Sequence, residues 1–534
     1  KFVSSITSTI SSRQLRNKVK KASGISPPNA VSVLIHNGNT ISSLKGIANS
    51  IASTLAHTSS SQNYPLPILN FKKKAEKQKL RFHFQANQPY NCDLTFLELQ
   101  SSLSKVHDSS PGPDNISYAM IKHLSTESQE NLLYLYNRIW KEHYLPTFWQ
   151  QATVIPLLKP GKDPTNPSNY RPIALTCCLC KLLEKMINCR LVYYLETNNF
   201  IHPSQSGFRR GRSTVDNLLA LETGIRLAFL ERKHFVAVFF DIEKTYDKTW
   251  RYGILKYMYD IGLRGNLPIF IQNFLRLRKF RVKVESELSD FFIQEEGVPQ
   301  GSVLSVTLFM LKINNILKQL PTSVKSFLYV DDLNISCTGM HMNFIQRQIQ
   351  IAINSITQWS NTNGFTISTS KTTAVHFCRK RDLHFDPELR LNGEMIPFQT
   401  EIRFLGVMFD KKLSFLPHTI QLRKKCKKSL NILKVLSTTA WVADKTSLLK
   451  IYKATTLSKL DYGCVFYGSA RKSVLQKLDP VHYADLRLIS GAFRTSPVKS
   501  LYVDCFEPSL KLRRQLLSLN YYFRIQSNVN HPFL

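Results

Sequence analysis

The feature that most restricts the fold is an apolar run, residues 235–240, that ends in the acidic residue Asp241. Continuously apolar strands are buried on both faces, whereas strands with one solvent face alternate apolar and polar residues. We therefore expect a buried strand whose C-terminal end places the Asp241 carboxylate at the rim of the core.

A second acidic site follows further along the chain, where Asp331 and Asp332 stand between β-prone residues. This pattern predicts a β-hairpin over residues 326–336 with the two acids at its tip. Neighbouring residues of a strand point to opposite faces, so the turn must rotate one of them to bring both carboxylates together. Taken alone, the pair fits a polar surface turn at least as well.

The acids of the two segments are more informative when they are considered together. Like charges resist joint ionisation, and a hard divalent cation such as Mg²⁺ removes that repulsion by binding the carboxylate oxygens. Grouped acids on a strand scaffold therefore predict a two-metal site for phosphoryl transfer. One ion would activate the attacking hydroxyl group, and the other would stabilise the leaving pyrophosphate.

The charge of the chain points to a polyanionic partner. Its 534 residues include 71 Lys and Arg against 37 Asp and Glu, a net charge of +34. Nucleic acid is the first candidate partner and an anionic membrane surface the second, while a basic surface kept for solubility is the remaining interpretation. Because 43% of the residues are hydrophobic, general disorder is excluded. No apolar run approaches the ~20 residues of a membrane span, so we expect no membrane insertion.

The ten cysteines show no repeated paired spacing, which argues against a secreted disulfide framework and favours a reducing compartment. Cys177, Cys178 and Cys180, with Cys189 beyond them, could contribute to a zinc site, but no second ligand pair at finger-like spacing follows. Apolar residues recur at helical spacing through the same stretch. We therefore expect these thiols to be small core residues.

Two further regions suggest contacts with a nucleotide. In the loop 297–305, Gly301 lets the backbone approach a flat ligand, and Gln300 offers donor and acceptor groups to a base or sugar. Arginines suited to phosphate oxygens occur in residues 206–214, directly before a helix, and at Arg171. An ordinary loop before a core helix is the alternative for the first region, and solvated basic loops are an equally good interpretation of the arginines.

The order of predicted elements indicates an α+β chain. Strand 152–158, helices 179–195 and 215–230, strand 235–240 and the hairpin follow one another, and amphipathic basic helices are expected from residue 411 onward. The start of the chain is rich in Ser, Thr and Asn and lacks an initial Met, which suggests a piece of a longer polypeptide. The basic run 72–81 is interpreted either as a solvated face or as a phosphate-binding arm.

Eight segments in a fixed order carry a family resemblance. They resemble the reverse transcriptase domain of non-LTR (LINE-like) retrotransposons and are most similar to the jockey-type elements of arthropods. The segments are SSPGPDNIS (109–117), NYRPIALT (169–176), SGFRRGRST (206–214), FFDIEKTYD (239–247), GVPQGSVLS (297–305), FLYVDD (327–332), NGFTISTSKT (363–372) and FLGVMFD (404–410).

The resemblance implies a right-hand polymerase fold with fingers, a palm built on an antiparallel sheet and a helical thumb. Residues 1–105 would be a partly flexible, basic N-terminal extension, residues 106–410 the fingers and palm, and residues 411–495 the basic thumb. Residues 496–534 would connect to a missing downstream region.

The resemblance also assigns site residues. Asp241, Asp331 and Asp332 match the catalytic, metal-binding triad, with Mg²⁺ as cofactor and Mn²⁺ as a substitute. The positions that match nucleotide-binding residues are Tyr246, which would select deoxynucleotides, Gln300, Gly301, Arg171, Arg209 and Lys371. The positions that match the primer grip are Phe404, Leu405 and Gly406.

The implied function is an RNA-directed DNA polymerase that uses template RNA, a DNA primer or nicked target DNA, and dNTPs. The endonuclease domain would lie elsewhere in a longer polyprotein, and the protein would occupy a cytoplasmic ribonucleoprotein and the nucleus. Departures from the family pattern, including Thr245 and the Val306-Thr307 pair, leave a catalytically decayed RNA-binding relic as an alternative. A metal-dependent nuclease would not explain the Gln-Gly loop.

Overall fold

The structure is a computed structural model that describes residues 33–36, 38–83, 88–380, 385–438 and 444–528. Its strands are Leu34–His36 (β1), Asn39–Ile41 (β2), Gln151–Leu158 (β3), Tyr170–Leu175 (β4), His234–Phe240 (β5), Ile242–Glu243 (β6), Lys279–Val284 (β7), Glu287–Leu288 (β8), Phe292–Ile293 (β9), Val324–Tyr329 (β10), Asp332–Gly339 (β11), Thr366–Ile367 (β12), Thr373–Phe377 (β13), Arg390–Leu391 (β14), Glu394–Met395 (β15), Glu401–Phe404 (β16) and Val407–Asp410 (β17).

The α-helices before the hairpin β10–β11 are Leu44–Thr58 (α1), Leu66–Glu76 (α2), Phe96–Ser104 (α3), Tyr118–Lys122 (α4), Thr126–Glu142 (α5), Cys178–Thr197 (α6), Thr214–Leu230 (α7), Thr245–Lys248 (α8), Arg251–Asp260 (α9), Asn266–Leu275 (α10) and Val303–Asn314 (α11). Those after it are Met342–Asn363 (α12), Leu416–Thr438 (α13), Lys445–Tyr452 (α14), Ser458–Asp461 (α15), Cys464–Tyr467 (α16), Lys472–Leu475 (α17), Asp479–Ser490 (α18), Val498–Asp504 (α19) and Leu510–Gln526 (α20).

The apolar run before Asp241 is strand β5 of a four-stranded antiparallel sheet, the central sheet, with the order β10-β11-β5-β13. All seven residues of β5 are buried. Val236, Val238 and Phe240 join one hydrophobic cluster with α6 and α11, whereas Phe235 and Phe239 join a second cluster with α7 and the C-terminal helices. Two covered faces explain why this strand is apolar throughout.

A second sheet, the side sheet, has the order β4-β3-β7-β8, with β9 also paired to β7. Strands β3 and β7 are parallel, and β3 and β4 are antiparallel. Helix α1 covers this sheet by burying Ile47 and Ile51 against Ala152, Val154 and Val282. The part of the N-terminal extension that the structure describes therefore includes a helix packed on the side sheet.

The basic run 72–81 begins on α2, where Lys72 is buried and forms an ion pair with Glu296. The neighbouring Lys73 and Lys74 are exposed. The run thus begins at a helix end in which one lysine packs inward, and the exposure of its other lysines is compatible with both interpretations.

The C-terminal helices α13–α18 pack against the central sheet through the hairpin β16–β17. Beyond them, α20 contacts α16, and Tyr521 at its far end donates a hydrogen bond to Asp216 Oδ1 at 2.5 Å. The described part of the expected C-terminal connector is therefore helical and packed on the body. The domain boundaries themselves stay predictions.

The elements predicted from patterns are present, with small differences at their ends. Strand 152–158 lies within β3, helices 179–195 and 215–230 lie within α6 and α7, and the hairpin 326–336 is longer, over β10 and β11. Cys177, Cys178 and Cys180 are buried as expected, but Cys189 is exposed on α6. Among the described residues, no helix combines the length and apolar character of a membrane span.

Candidate active site

Strand register brings the three predicted acids to one edge of the central sheet. Leu333 on β11 pairs with Phe240 on β5, so the next residues, Asp332 and Asp241, lie beside each other at the strand ends. The hairpin turns at Val330, which has a left-handed φ of 63°. This turn supplies the rotation that adjacent acids need if both are to face one point.

The triad carboxylates repel one another. Burial raises the pKa of Asp331, and the negative charge of Asp241 adds to that effect. Desolvation together with the charges of Asp331 and Asp241 raises the pKa of Asp332 to about 6, although this side chain reaches solvent. Bringing these groups together costs free energy that a bound cation would offset.

A lysine lies against this acidic group. Lys371 Nζ forms an ion pair with Asp241 Oδ2 at 3.0 Å, and both side chains are partly exposed. The predicted donor set of Asp241, Asp331 and Asp332 consists only of carboxylate oxygens. Such oxygens are the ligands that Mg²⁺ prefers, so these residues fit a divalent metal site.

A cleft of about 410 Å³ opens beside Asp331. Its walls include Tyr170, Arg171, Lys159, Lys244, Tyr246 and Gln300, together with Thr54, Leu55 and Thr58 of α1. Burial lowers the pKa of Lys159, and the neighbouring positive charges of Lys244, Arg171 and Lys371 lower it further. Three cations therefore line a cleft that also has the carboxylates of Asp331 and Asp247 in its wall, an arrangement suited to a polyphosphate with bound metal.

Tyr246 forms the side of the cleft next to Asp331. Its ring stacks on Phe309 with centroids 4.5 Å apart and an interplanar angle of 24°. Burial, followed by the charge of Asp331, raises the pKa of its hydroxyl group, so this group stays protonated at neutral pH. The stacked ring gives the cleft a rigid wall.

The loop 297–301 is held close to the strands around the cleft. Gln300 Nε2 donates to Asp247 Oδ1 at 3.0 Å, and Ala174 N donates to Gln300 O at 2.7 Å. At Gly301 φ is +131°, and an added Cβ would lie 2.3 Å from Ala174 O. Glycine is therefore required here by both conformation and close approach.

The Arg209 side chain binds other protein groups and does not line the cleft. Its guanidinium forms an ion pair with Glu196 and donates to His202 O and Gln205 O at 3.2 and 3.1 Å. The loop that holds it nevertheless contacts the acidic hairpin, since Ser206 N donates to Leu328 O at 3.0 Å. Of the two arginines predicted to lie near a triphosphate, the structure brings only Arg171 into the cleft wall.

The predicted primer-grip residues form the turn of the hairpin β16–β17. Leu405 and Gly406 both have positive φ, the geometry of a two-residue hairpin turn. Phe404 packs on Phe239 of the central sheet, and the hydroxyl group of Tyr462 donates to Leu405 O at 2.6 Å. This turn thus sits between the central sheet and the C-terminal helices.

Comparison with known proteins agrees with these features. Residues 157–409 match the family described as reverse transcriptase (RNA-dependent DNA polymerase). The RNA-directed DNA polymerase from mobile element jockey of Drosophila melanogaster is 26% identical over 466 residues, which are 85% of this chain and 50% of that protein. Residues 157–409 are a reverse transcriptase domain, and the chain is similar to polymerases of non-LTR retrotransposons.

A second curated protein and a solved structure are also similar to this chain. The probable RNA-directed DNA polymerase from transposon BS of Drosophila melanogaster is 26% identical over 396 residues, 71% of this chain and 43% of its own length. The chain spans about half the length of the curated relatives it matches. Among solved structures, an apo telomerase from Candida tropicalis, truncated from its C-terminal domain, aligns with 50% of this chain and 54% of its own at 13% identity and a TM-score of 0.35.

The reverse transcriptase domain has a right-hand polymerase fold. The expectations of an α+β right-hand fold and of a jockey-like family are confirmed.

Sequence reasoning missed several residues of the cleft. Lys159 and Lys244 are isolated lysines in sequence, so no charge cluster marks them, although Lys244 lies within the segment that holds Asp241. Thr58 and its neighbours on α1 reach the cleft through tertiary packing, and Lys244 Nζ donates to Thr58 Oγ1 at 3.2 Å. No local pattern indicates that contact.

Proposed function

We propose that this chain is the RNA-directed DNA polymerase of a non-LTR retrotransposon and that it extends a DNA 3′-hydroxyl group on an RNA template. The observation that carries the proposal is the cleft whose wall holds the Asp331 carboxylate together with three cations, Lys159, Arg171 and Lys244. Carboxylates alone would suit many hydrolases. The cationic wall adds recognition of a triphosphate next to the metal-binding edge.

Asp241, Asp331 and Asp332 would hold divalent cations, Mg²⁺ with Mn²⁺ as a substitute. When bound, these ions activate the primer 3′-hydroxyl group and stabilise the leaving pyrophosphate. Arg171, Lys159 and Lys371 would bind the triphosphate, and Lys371 would exchange its ion pair with Asp241 for one with a phosphate.

The remaining residues of the cleft would position the nucleotide. The Tyr246 ring would exclude a ribose 2′-hydroxyl group, and Gln300 and Gly301 would lie against the incoming nucleotide and the template. Phe404, Leu405 and Gly406 would hold the primer end. Arg209 would support the loop beside the acidic hairpin, or reach a phosphate only after it leaves Glu196.

The substrates would be template RNA, dNTPs and a DNA primer, which a nick in target DNA could supply. An endonuclease domain would lie in another part of a longer polyprotein. The site of action would be a cytoplasmic ribonucleoprotein and the nucleus. A decayed RNA-binding relic is not favoured, because the chain keeps all three acids, Asp241, Asp331 and Asp332, and the relatives are named as polymerases.

Primer extension tests the proposal. Purified protein with oligo(dT)-primed RNA, dNTPs and Mg²⁺ should incorporate nucleotides, and Asp331→Ala should abolish incorporation. Asp260→Ala, which removes an exposed carboxylate that pairs with Lys256, is the matched control and should leave incorporation unchanged. Equal synthesis by Asp331→Ala would reject the assigned site, and salt-dependent RNA binding without any extension would support the relic instead.

A further inference from the structure

A second group of metal-ligating side chains lies at the opposite end of the central sheet from the triad. His234, His376 and Cys378 are buried, and their ligand atoms all lie within 4.8 Å of one another. His234 Nδ1 is 3.0 Å from His376 Nε2. The expected function of the chain gives these three residues no role.

Strand pairing creates this cluster from distant parts of the chain. His376 on β13 pairs with Val236 on β5, and Phe377 pairs with Phe235. Continuing the register places Cys378 opposite His234. Alternate residues of a strand share a face, so the three side chains lie together on one face of the sheet.

The surroundings of the cluster resemble the outer shell of a metal site. His376 Nδ1 lies 2.9 Å from Asp386 Oδ1, a contact that fixes a proton on Nδ1 and leaves the Nε2 lone pair directed at His234. Histidine ligands in zinc sites commonly donate their outer N–H to a carboxylate in this way. Asp386 thus orients His376 without itself being a required ligand.

We propose that His234 Nδ1, His376 Nε2 and the Cys378 thiolate bind a zinc ion. Two imidazoles and a thiolate are a donor set for Zn²⁺, whereas Mg²⁺ selects oxygen ligands. In tetrahedral zinc sites with bonds of about 2.0–2.3 Å, neighbouring ligand atoms are roughly 3.3–3.6 Å apart. The observed separations, 3.0 Å between the two imidazole nitrogens and at most 4.8 Å within the set, bracket that spacing, and water would be the fourth ligand.

A hydrogen-bonded arrangement without metal competes with zinc binding. Lys380 Nζ lies 3.3 Å from His234 Nε2, so the lysine can donate there while His234 Nδ1 donates to His376 Nε2. When zinc binds, the His234 proton moves from Nδ1 to Nε2 and the Cys378 thiol releases its proton, so that Nδ1 and the sulfur can both bind the ion. Lys380 is exposed and can turn into solvent when His234 carries its proton on Nε2.

The ion would join the start of β5 to the end of β13. Cys378 N also donates to Lys411 O, directly after the hairpin β16–β17, at 3.3 Å. Because the site lies at the end of the central sheet away from Asp241, it is structural and separate from nucleotide transfer. Because an ordered ligand set does not exist in the unfolded chain, zinc binding would add directly to folding stability.

Metal content and thermal stability test the site in the full chain with any polyhistidine tag removed. After chelator treatment and dialysis, added Zn²⁺ should bind at one equivalent and raise the Tm, whereas Mg²⁺ should not produce this shift. The absence of a zinc-dependent Tm shift in the wild type would overturn the proposal, and this measurement needs no variant to fold.

Cobalt substitution identifies the ligands. Co²⁺ should give the intense visible bands of a tetrahedral site and a thiolate-to-metal charge-transfer band, and Cys378→Ser should lose the charge-transfer band. Cys426→Ser, a change of a buried cysteine in α13, should keep it. A charge-transfer band that persists in Cys378→Ser, or that disappears in Cys426→Ser, would place the metal elsewhere and reject the assignment.

Discussion

The two ends of strand β5 carry opposite kinds of side chain. At its C-terminal end, Asp241 lies with other carboxylates at an accessible edge and forms an ion pair with the exposed Lys371. At its N-terminal end, His234 is buried with His376 and Cys378. At about 3.3 Å per residue the two ends are roughly 20 Å apart.

This difference in side chains shows which functions the accessible and the buried end of the strand can each support. Charged oxygen donors stay at the accessible edge, because burying unpaired carboxylates costs several kcal/mol. Neutral imidazoles and a thiol tolerate burial when their polar atoms have partners, as His376 has in Asp386. An accessible end can exchange substrates, whereas a buried end can only stabilise the fold.

The largest effect should come from removing a predicted metal ligand at the accessible end, which should change activity but not stability. Asp241→Asn should lower primer extension by about 10³-fold or more, because a metal ligand contributes several kcal/mol to transition-state stabilisation. Its unfolding midpoint should not fall, since repulsion within the triad is relieved and the exposed pair with Lys371 contributes at most about 1 kcal/mol. Extension rates and urea unfolding would be measured on the same preparation.

At the other end, Cys378→Ser should lower the Tm of zinc-loaded protein and keep the extension rate per folded molecule. The opposite pattern would break the comparison: a destabilised Asp241→Asn, or a folded Cys378→Ser protein without polymerase activity.

A second effect concerns the backbone around the accessible end. Gly301→Ala should destabilise the protein by about 3 kcal/mol, because the new methyl group meets Ala174 O and φ is positive. Gly393→Ala is the matched control: its φ is +86°, but nothing lies within 4 Å of the added Cβ. That variant should lose only about 1 kcal/mol. Equal losses in chemical denaturation would show that conformation alone, without the close approach, explains Gly301.

The two arginines predicted to bind phosphate should separate into different roles. Arg171→Ala should raise the KM for dNTPs about tenfold with little change in unfolding, because the exposed guanidinium lines the cleft. Arg209→Ala should lower stability by about 2 kcal/mol, since it leaves Glu196 and two carbonyl groups without their donor. Glu196→Gln should reproduce the Arg209 effect if the ion pair is structural. A tenfold change in KM from Arg209→Ala without loss of stability would instead support direct phosphate contact.

These contrasts show what the sequence could and could not predict. The acids at 241, 331 and 332 stand at ends of apolar segments, so their neighbours alone predict strand ends and a turn. Thr58 reaches the cleft because α1 packs on a sheet formed by much later residues, and His376 meets His234 through pairing of strands far apart in sequence. Arg209 had the right residue type in the right segment, but its direction depends on Glu196 in a preceding helix. Local patterns predict elements, while long-range packing decides which side chains meet.

The smallest expected effect, counted per pH unit, is a pH dependence of stability that arises at Lys312 in the core. Lys312 on α11 is buried, donates to Asn363 Oδ1 at 2.6 Å and lies 5.1 Å from the ring centroid of Trp250. Burial lowers its pKa to about 7, and the charge of Glu296 opposes that shift. Between this pH and the ordinary lysine pKa of about 10.4 the unfolded chain binds the extra proton, so stability should rise with pH across that window.

Lys312→Met should remove this slope, which is at most about 1.4 kcal/mol per pH unit. Urea unfolding at pH 7, 8 and 9 would measure the difference between variant and wild type, with Lys279→Met on the exposed side of β7 as the control. The gain in unfolding free energy of Lys312→Met over the wild type should be greatest at pH 7 and should shrink toward pH 9. A difference in unfolding free energy that does not change with pH would mean that Lys312 keeps its proton in the core. A buried charge would then be tolerated here, and burial alone would not explain why the acids lie at the accessible end of β5.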